Sequence, residues 1–66
     1  MNVLFIISSN DDETIYNAMR LANVAEKKGD DVSVFMLGKG VLFEPASSDQ
    51  FNVMAQIDQF EGDFYV

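Results

Sequence analysis

The chain has no cysteine and no histidine among its 66 residues, and only one proline. Without cysteine there is no disulfide, no thiolate nucleophile and no persulfide carrier within the chain. Without cysteine and histidine together, a structural zinc site lacks its preferred ligands. Neither a Ser-His-Asp nor a Cys-His arrangement can be built. Cations are scarce as well. Four basic residues stand against eleven acidic ones, for a formal net charge of -7. That balance repels nucleic acid and anionic membrane surfaces. No stretch approaches the ~18 consecutive apolar residues of a membrane span. Met1-Asn2 runs directly into Val3–Ile7, with neither the basic region nor the small-residue cleavage site of a signal peptide. The expected compartment is the cytoplasm, and the expected partners include neither nucleic acid nor membrane. No motif calls for a cofactor or a metal.

Sixty-six residues make one small domain at most. A chain of this size buries only ~60% of the surface it exposes when unfolded. Small domains regain stability through disulfides, metals or oligomerisation. With no disulfide and no preferred zinc ligand, oligomerisation is left. The 48% hydrophobic content supplies surface for it.

Val3 to Ile7 is a continuous apolar run rich in branched residues. Such runs suit parallel strands covered on both faces. Ser8-Ser9-Asn10-Asp11-Asp12 breaks the run. Asn10 and Glu13 have capping-box spacing, and the acidic cluster complements a helix dipole. A helix is expected from about Asp12 to Lys28, with Ile15, Ala18, Met19, Ala22 and Ala25 on one face and Leu21 beside it. Lys27-Lys28-Gly29 is its stop signal. Asp30 to Leu37 reads as a second strand, ended by Gly38-Lys39-Gly40. Val41 to Gln50, which contains Pro45 and Ser47-Ser48, is the longest irregular segment expected. A second helix starts near Phe51 or Asn52, carries Val53, Met54, Ile57 and Phe60 as its stripe, and closes at Gly62. Asp63 to Val66 enters a third strand. The order is β-α-β-α-β, with right-handed crossovers.

Ligands of open α/β sheets bind at the carboxyl ends of the strands. Ser8-Ser9-Asn10 and Gly38-Lys39-Gly40 reach that edge, so Ser9, Asn10 and Lys39 are the candidate ligand-binding residues. The hydroxyls and amide of Ser9 and Asn10 could meet a ligand. The simpler reading is helix capping and turn formation. Lys39, between two glycines, offers an accessible ammonium that would stabilise a thiolate or persulfide. The simpler reading is a solvated loop lysine. Asp11, Asp12 and Glu13 lack the spacing of a calcium loop and read as dipole complements. No phosphate-cradling glycine motif is present.

Four segments taken together have a familiar order. They are Ser9-Asn10-Asp11-Asp12-Glu13-Thr14, Asn17-Ala18-Met19-Arg20-Leu21-Ala22, Val34-Phe35-Met36-Leu37-Gly38-Lys39-Gly40-Val41 and Phe51-Asn52-Val53. With them the chain resembles the DsrE-like (DsrE/DsrF, YchN-type) sulfur-relay family from residue 2 to residue 66. The resemblance implies a three-layer α/β/α domain with a parallel sheet, assembled as a homo-oligomer, a trimer or hexamer. It also implies a role in passing persulfide sulfur to sulfur-relay partner proteins. In many members the sulfur-bearing cysteine follows the third strand, and that point lies just beyond Val66. The family domain has two more strands, so residues 1–66 correspond to the N-terminal portion of a single DsrE-like domain. Asn10 and Lys39 match positions near the family's pocket. The alternative is a non-catalytic oligomerisation or small-ligand-binding module of the same fold. This chain alone, lacking cysteine and histidine, is not expected to be an enzyme.

Overall fold

A computed structural model describes all residues, 1–66. Three parallel strands form one sheet in the order β1 (Asn2–Ile7), β2 (Asp31–Met36), β3 (Asp63–Tyr65). Between the first two lies α1 (Asp12–Lys27). Between the second and third come a 3-10 turn (Gly38–Leu42), the single turn α2 (Phe43–Ala46) and α3 (Val53–Gln59). The α/β class, the parallel sheet and the β-α-β-α-β order are as expected.

Each strand is added on the same side of its predecessor. Right-handed crossovers that step in one direction put their helices on one face of the sheet. Accordingly α1 packs on β1, β2 and α3 together. Residues 1–66 thus build two of the three expected layers, the sheet and one helical layer. The core lies between them. Ile7, Val32, Val34 and Met36 from the sheet meet Ile15, Met19 and Ala22 from α1 and Val53 from α3. The alternate strand residues Leu4, Ile6, Phe35, Leu37 and Tyr65 stay exposed on the other face.

Helix α1 begins where expected but on a different cap. Asp11, not Asn10, is the N-cap, and its Oδ2 accepts from the Thr14 backbone N–H at 2.9 Å. The cap therefore sits one residue further on, with Thr14 as its partner. The stop signal at Gly29 is fully realised. Gly29 has φ 97°, its N–H donates to the Glu26 carbonyl, and the Asp30 N–H donates to the Ala25 carbonyl. This is the paired-bond ending of a helix, in which a left-handed residue satisfies the last carbonyls.

The stripe on α1 differs from the expected one in two places. Leu21 is exposed, and Asn23 is buried. Asn23 stands four residues after Met19 and eight after Ile15, on the inward face. Its Nδ2 donates to the Gln56 carbonyl at 2.9 Å and to Gln56 Oε1 at 3.1 Å, tying α1 to α3. Of the α3 stripe, Val53 is buried, and Met54, Ile57 and Phe60 are half-buried. The helix ends at Gln59, with Phe60 as its cap. Gly62 follows three residues later, where a Cβ would run into the Val32 carbonyl. It is a close-approach glycine, not the helix stop.

The segment from Val41 to Gln50 is more ordered than its composition suggests. It completes the 3-10 turn and forms α2, with Pro45 in the first turn, where no intrahelical N–H is owed. Ser47 and Ser48 then organise the approach to α3. The Ser48 hydroxyl donates to Asp12 Oδ2 at 2.7 Å and accepts from the Phe51 N–H at 3.0 Å. Ser47 Oγ accepts from the Met54 N–H, and Asn52 caps α3 by accepting from the Ala55 N–H. No helix is long and apolar enough to cross a membrane.

Candidate functional site at the carboxyl edge

Because β1 and β2 are parallel and in register, both end on the same edge of the sheet. The segment Ser8–Asn10 leaves β1 there, and Gly38–Gly40 leaves β2 there. The two are pressed together. The Leu37 N–H donates to the Ile7 carbonyl at 2.9 Å, extending the ladder one residue past β2. Gly38 then turns the chain with φ 51°. The 3-10 bond from the Gly40 N–H to the Leu37 carbonyl, at 2.8 Å, folds the segment back over the end of β1. Gly40 is buried against Ile7. A Cβ built on it would lie 2.9 Å from the Ile7 carbonyl carbon and nearer still to its oxygen. The two glycines beside Lys39 therefore do different work. Gly38 supplies a left-handed turn, and Gly40 supplies room.

This packing brings the Lys39 segment onto the same edge as Ser9 and Asn10, as the placement rule for parallel sheets requires. Lys39 is exposed. The other three cations, Arg20, Lys27 and Lys28, are carried by α1 or its C-cap, so Lys39 is the one cation of this edge. The chain's sole ion pair joins the Met1 amine to Asp30 at 3.4 Å, at the opposite edge. Ser9 Oγ accepts from the Asp11 N–H at 3.0 Å, so its hydroxyl oxygen is part of the turn into α1. Asn10 is exposed and its side chain makes no hydrogen bond within the chain. Asn10, Lys39 and the Ser8 hydroxyl are thus free polar groups of this edge, and Ser9 is chiefly a turn former.

Asp11 and Asp12 beside them are committed to structure. Asp11 Oδ2 takes both the Thr14 N–H and the Thr14 hydroxyl. Asp12 holds Ser48 and the Glu13 N–H. The backbone bond from Thr14, then the hydroxyl bond, hold the Asp11 carboxyl below its ordinary value. Its folded state therefore binds fewer protons than the unfolded chain in acid. The stabilisation is present above about pH 4 and disappears as pH falls through the lowered value. In an acid titration followed by helical circular dichroism, Asp11→Ala should lower helix stability near neutrality. It should also remove part of the acid-induced loss below about pH 4. An acid limb identical in the two proteins would rule out Asp11 as its source.

No enclosed pocket forms between Asn10 and Lys39. The concavities of the molecule lie elsewhere. One groove is at the opposite, amino edge, lined by Glu26, Asp30, Asp31, Glu61 and Asp63. Its carboxylates repel anions. Three features of the molecule were not anticipated from the sequence: the buried Asn23–Gln56 link, the Asp12–Ser48 tether and the close fit of Gly40. Only the first had a signal, a polar residue at helical spacing on an apolar stripe. No curated protein and no solved structure matches the chain. The model of the DsrE/DsrF-like family matches residues 1–61, nearly the whole length and every strand but the last. On that match, the chain belongs to the DsrE/DsrF-like family.

Proposed function

We propose that the chain serves cytoplasmic sulfur relay as the N-terminal portion of a DsrE-like domain, where it frames a persulfide carried on a thiol outside these 66 residues. The observation that supports this reading is the packing of Gly40 on Ile7, which places Lys39 as the one cation of the carboxyl edge. An ammonium beside a persulfide favours its anionic form. Asn10 adds an amide able to donate to the same group. The chain has no thiol of its own, so it supplies position and charge and not the nucleophile. Assembly as a trimer or hexamer belongs to the same proposal. Leu21 and Val24 on the outer side of α1 are exposed apolar surface for it.

Two measurements test the reading. Intact-mass analysis after incubation with a persulfide donor should show no reductant-sensitive gain of sulfur on this chain. In NMR titration with a small hydropersulfide, the amides of Asn10 and Gly38–Gly40 should shift in the wild type. Lys39→Ala should lose the effect, and Lys39→Arg should retain most of it. Equal shifts in wild type and Lys39→Ala would remove Lys39 from the site. A second reading, a non-catalytic oligomerisation or ligand-binding module, is favoured by the absence of cysteine and histidine. It predicts no shift with any persulfide.

A further inference from the structure

The outward side of α1 is self-complementary. Its stripe consists of Glu13, Asn17, Arg20, Leu21, Val24 and the C-cap Lys28, all exposed. Positions three and four residues apart share one side of a helix. The intervals along this stripe read the same in both directions, and the midpoint falls between Arg20 and Leu21. Asn17, Arg20, Leu21 and Val24 line an open groove centred on that midpoint. Leu21 and Val24 are 63% and 56% exposed there. A third layer laid on the free face of the sheet would leave this side of α1 uncovered, because α1 packs on the opposite face.

Charge restricts where a second copy can approach. The net charge of -7 opposes contact in general. Three of the four cations are on α1 or its C-cap, so repulsion is least there. A parallel pair of α1 helices would set Glu13 beside Glu13 and Lys28 beside Lys28. An antiparallel pair about the midpoint sets each Glu13 beside Lys28 of the second copy, and each Asn17 beside Val24. It also brings the two Leu21 side chains together and aligns the helix dipoles favourably. Arg20 falls at the rim, with its guanidinium in solvent and its stem along the contact.

We infer that α1 forms a two-fold contact between copies of this chain, antiparallel about Arg20 and Leu21 and registered by two Glu13–Lys28 pairs. A single helix pair lies at or below the ~1,200 Å² of a standard interface, so this contact alone associates weakly. The inference rests on the assembly proposed above and narrows it. A trimer has no two-fold axis, whereas a hexamer of two trimers does. The contact shares no residue with Asn10 or Lys39.

Sedimentation equilibrium from about 10 µM to about 1 mM tests this. The wild type should associate reversibly. Glu13→Lys and Lys28→Glu should each weaken association about tenfold, by turning two attractive pairs into two repulsive ones. The variant with both reversals should return to within about threefold of wild type. Nonspecific repulsion predicts otherwise. Glu13→Lys makes each copy less acidic and would tighten association, whereas Lys28→Glu would loosen it. Leu21→Asn leaves the dipole charges in place at an exposed site, so it should weaken association and keep the wild-type melting curve in dilute solution. Amide shifts on concentrating the wild type should fall on Asn17 to Lys28. Opposite effects of the two reversals, or shifts on β1 to β3 in place of α1, would overturn the inference. If the reversals melt α1, Leu21→Asn decides, and association equal to wild type overturns it. A trimer with no two-fold species would overturn the contact and leave the assembly standing. A chain still monomeric at about 1 mM would overturn both. The persulfide-dependent shifts at Asn10 and Gly38–Gly40 report on sulfur relay separately.

Discussion

Gly40→Ala should destabilise the protein more than any other single substitution at the carboxyl edge. The new methyl group would press on the backbone of Ile7, with its carbon 2.9 Å from the Ile7 carbonyl carbon and closer to the oxygen. Backbone cannot swing aside as a long side chain can. Relief requires either parting the 3-10 turn from the end of β1 or breaking the bond from the Leu37 N–H to the Ile7 carbonyl. Overpacking of this kind costs on the order of 3 kcal/mol. A 66-residue domain has roughly 3–10 kcal/mol of stability in all. The melting temperature should fall by roughly 10–20 °C. Gly38→Ala is the informative control. Nothing lies within 4 Å of a Cβ there, so only the left-handed backbone opposes it. That costs about 1–2 kcal/mol. If the two substitutions destabilised equally, the Gly40 contact would not be what holds the Lys39 segment in place.

Met19→Ala should cost about 2–5 kcal/mol, the range for truncating a buried side chain of this size. Met19 is completely inaccessible to solvent at the centre of α1, among Ile15, Val34 and Met36 of the same core. An alanine there leaves a void that a two-layer core of eight buried apolar residues has few neighbours to fill. Two residues along the helix, Leu21 is 63% exposed, and Leu21→Ala should change stability by no more than about 0.5 kcal/mol. Urea unfolding of both variants measures the contrast. Similar midpoints for the two would mean that Leu21 is buried in the folded protein, by self-association across α1. That would favour the oligomer proposed above.

Local chemistry made most of the elements legible in advance. Five consecutive apolar residues from Val3 to Ile7 read as a parallel strand, and β1 is one, although Leu4 and Ile6 on its outward side are exposed rather than covered. The signals that bound α1 are equally local. Carboxylates precede it, cations and Gly29 follow it, and each acts on backbone groups within one turn. The family resemblance rested on the same segments, and the family match covers them. The shift of the cap from Asn10 to Asp11 is a limit of that reasoning. Several adjacent residues can cap, and the choice among them depends on where the chain leaves β1.

Tertiary structure decided what local signals cannot carry. Burial of Asn23 and exposure of Leu21 depend on which way α1 is rotated on the sheet, and the sheet and α3 set that rotation together. Order within Val41 to Gln50 comes from Ser48 reaching Asp12, 36 residues away in sequence. Strand order alone puts Lys39 at the carboxyl edge, as a candidate ligand residue or a solvated loop lysine. The way its segment folds back over the end of β1 is set by Gly40 lying against Ile7, a contact that no spacing within either segment records. The sequence by itself determined the three strands and the two longer helices, their order, the charge balance and the absence of any thiol or imidazole. Only the folded chain decided which faces are covered, because packing is a relation between segments and hydrophobic burial has no direction of its own.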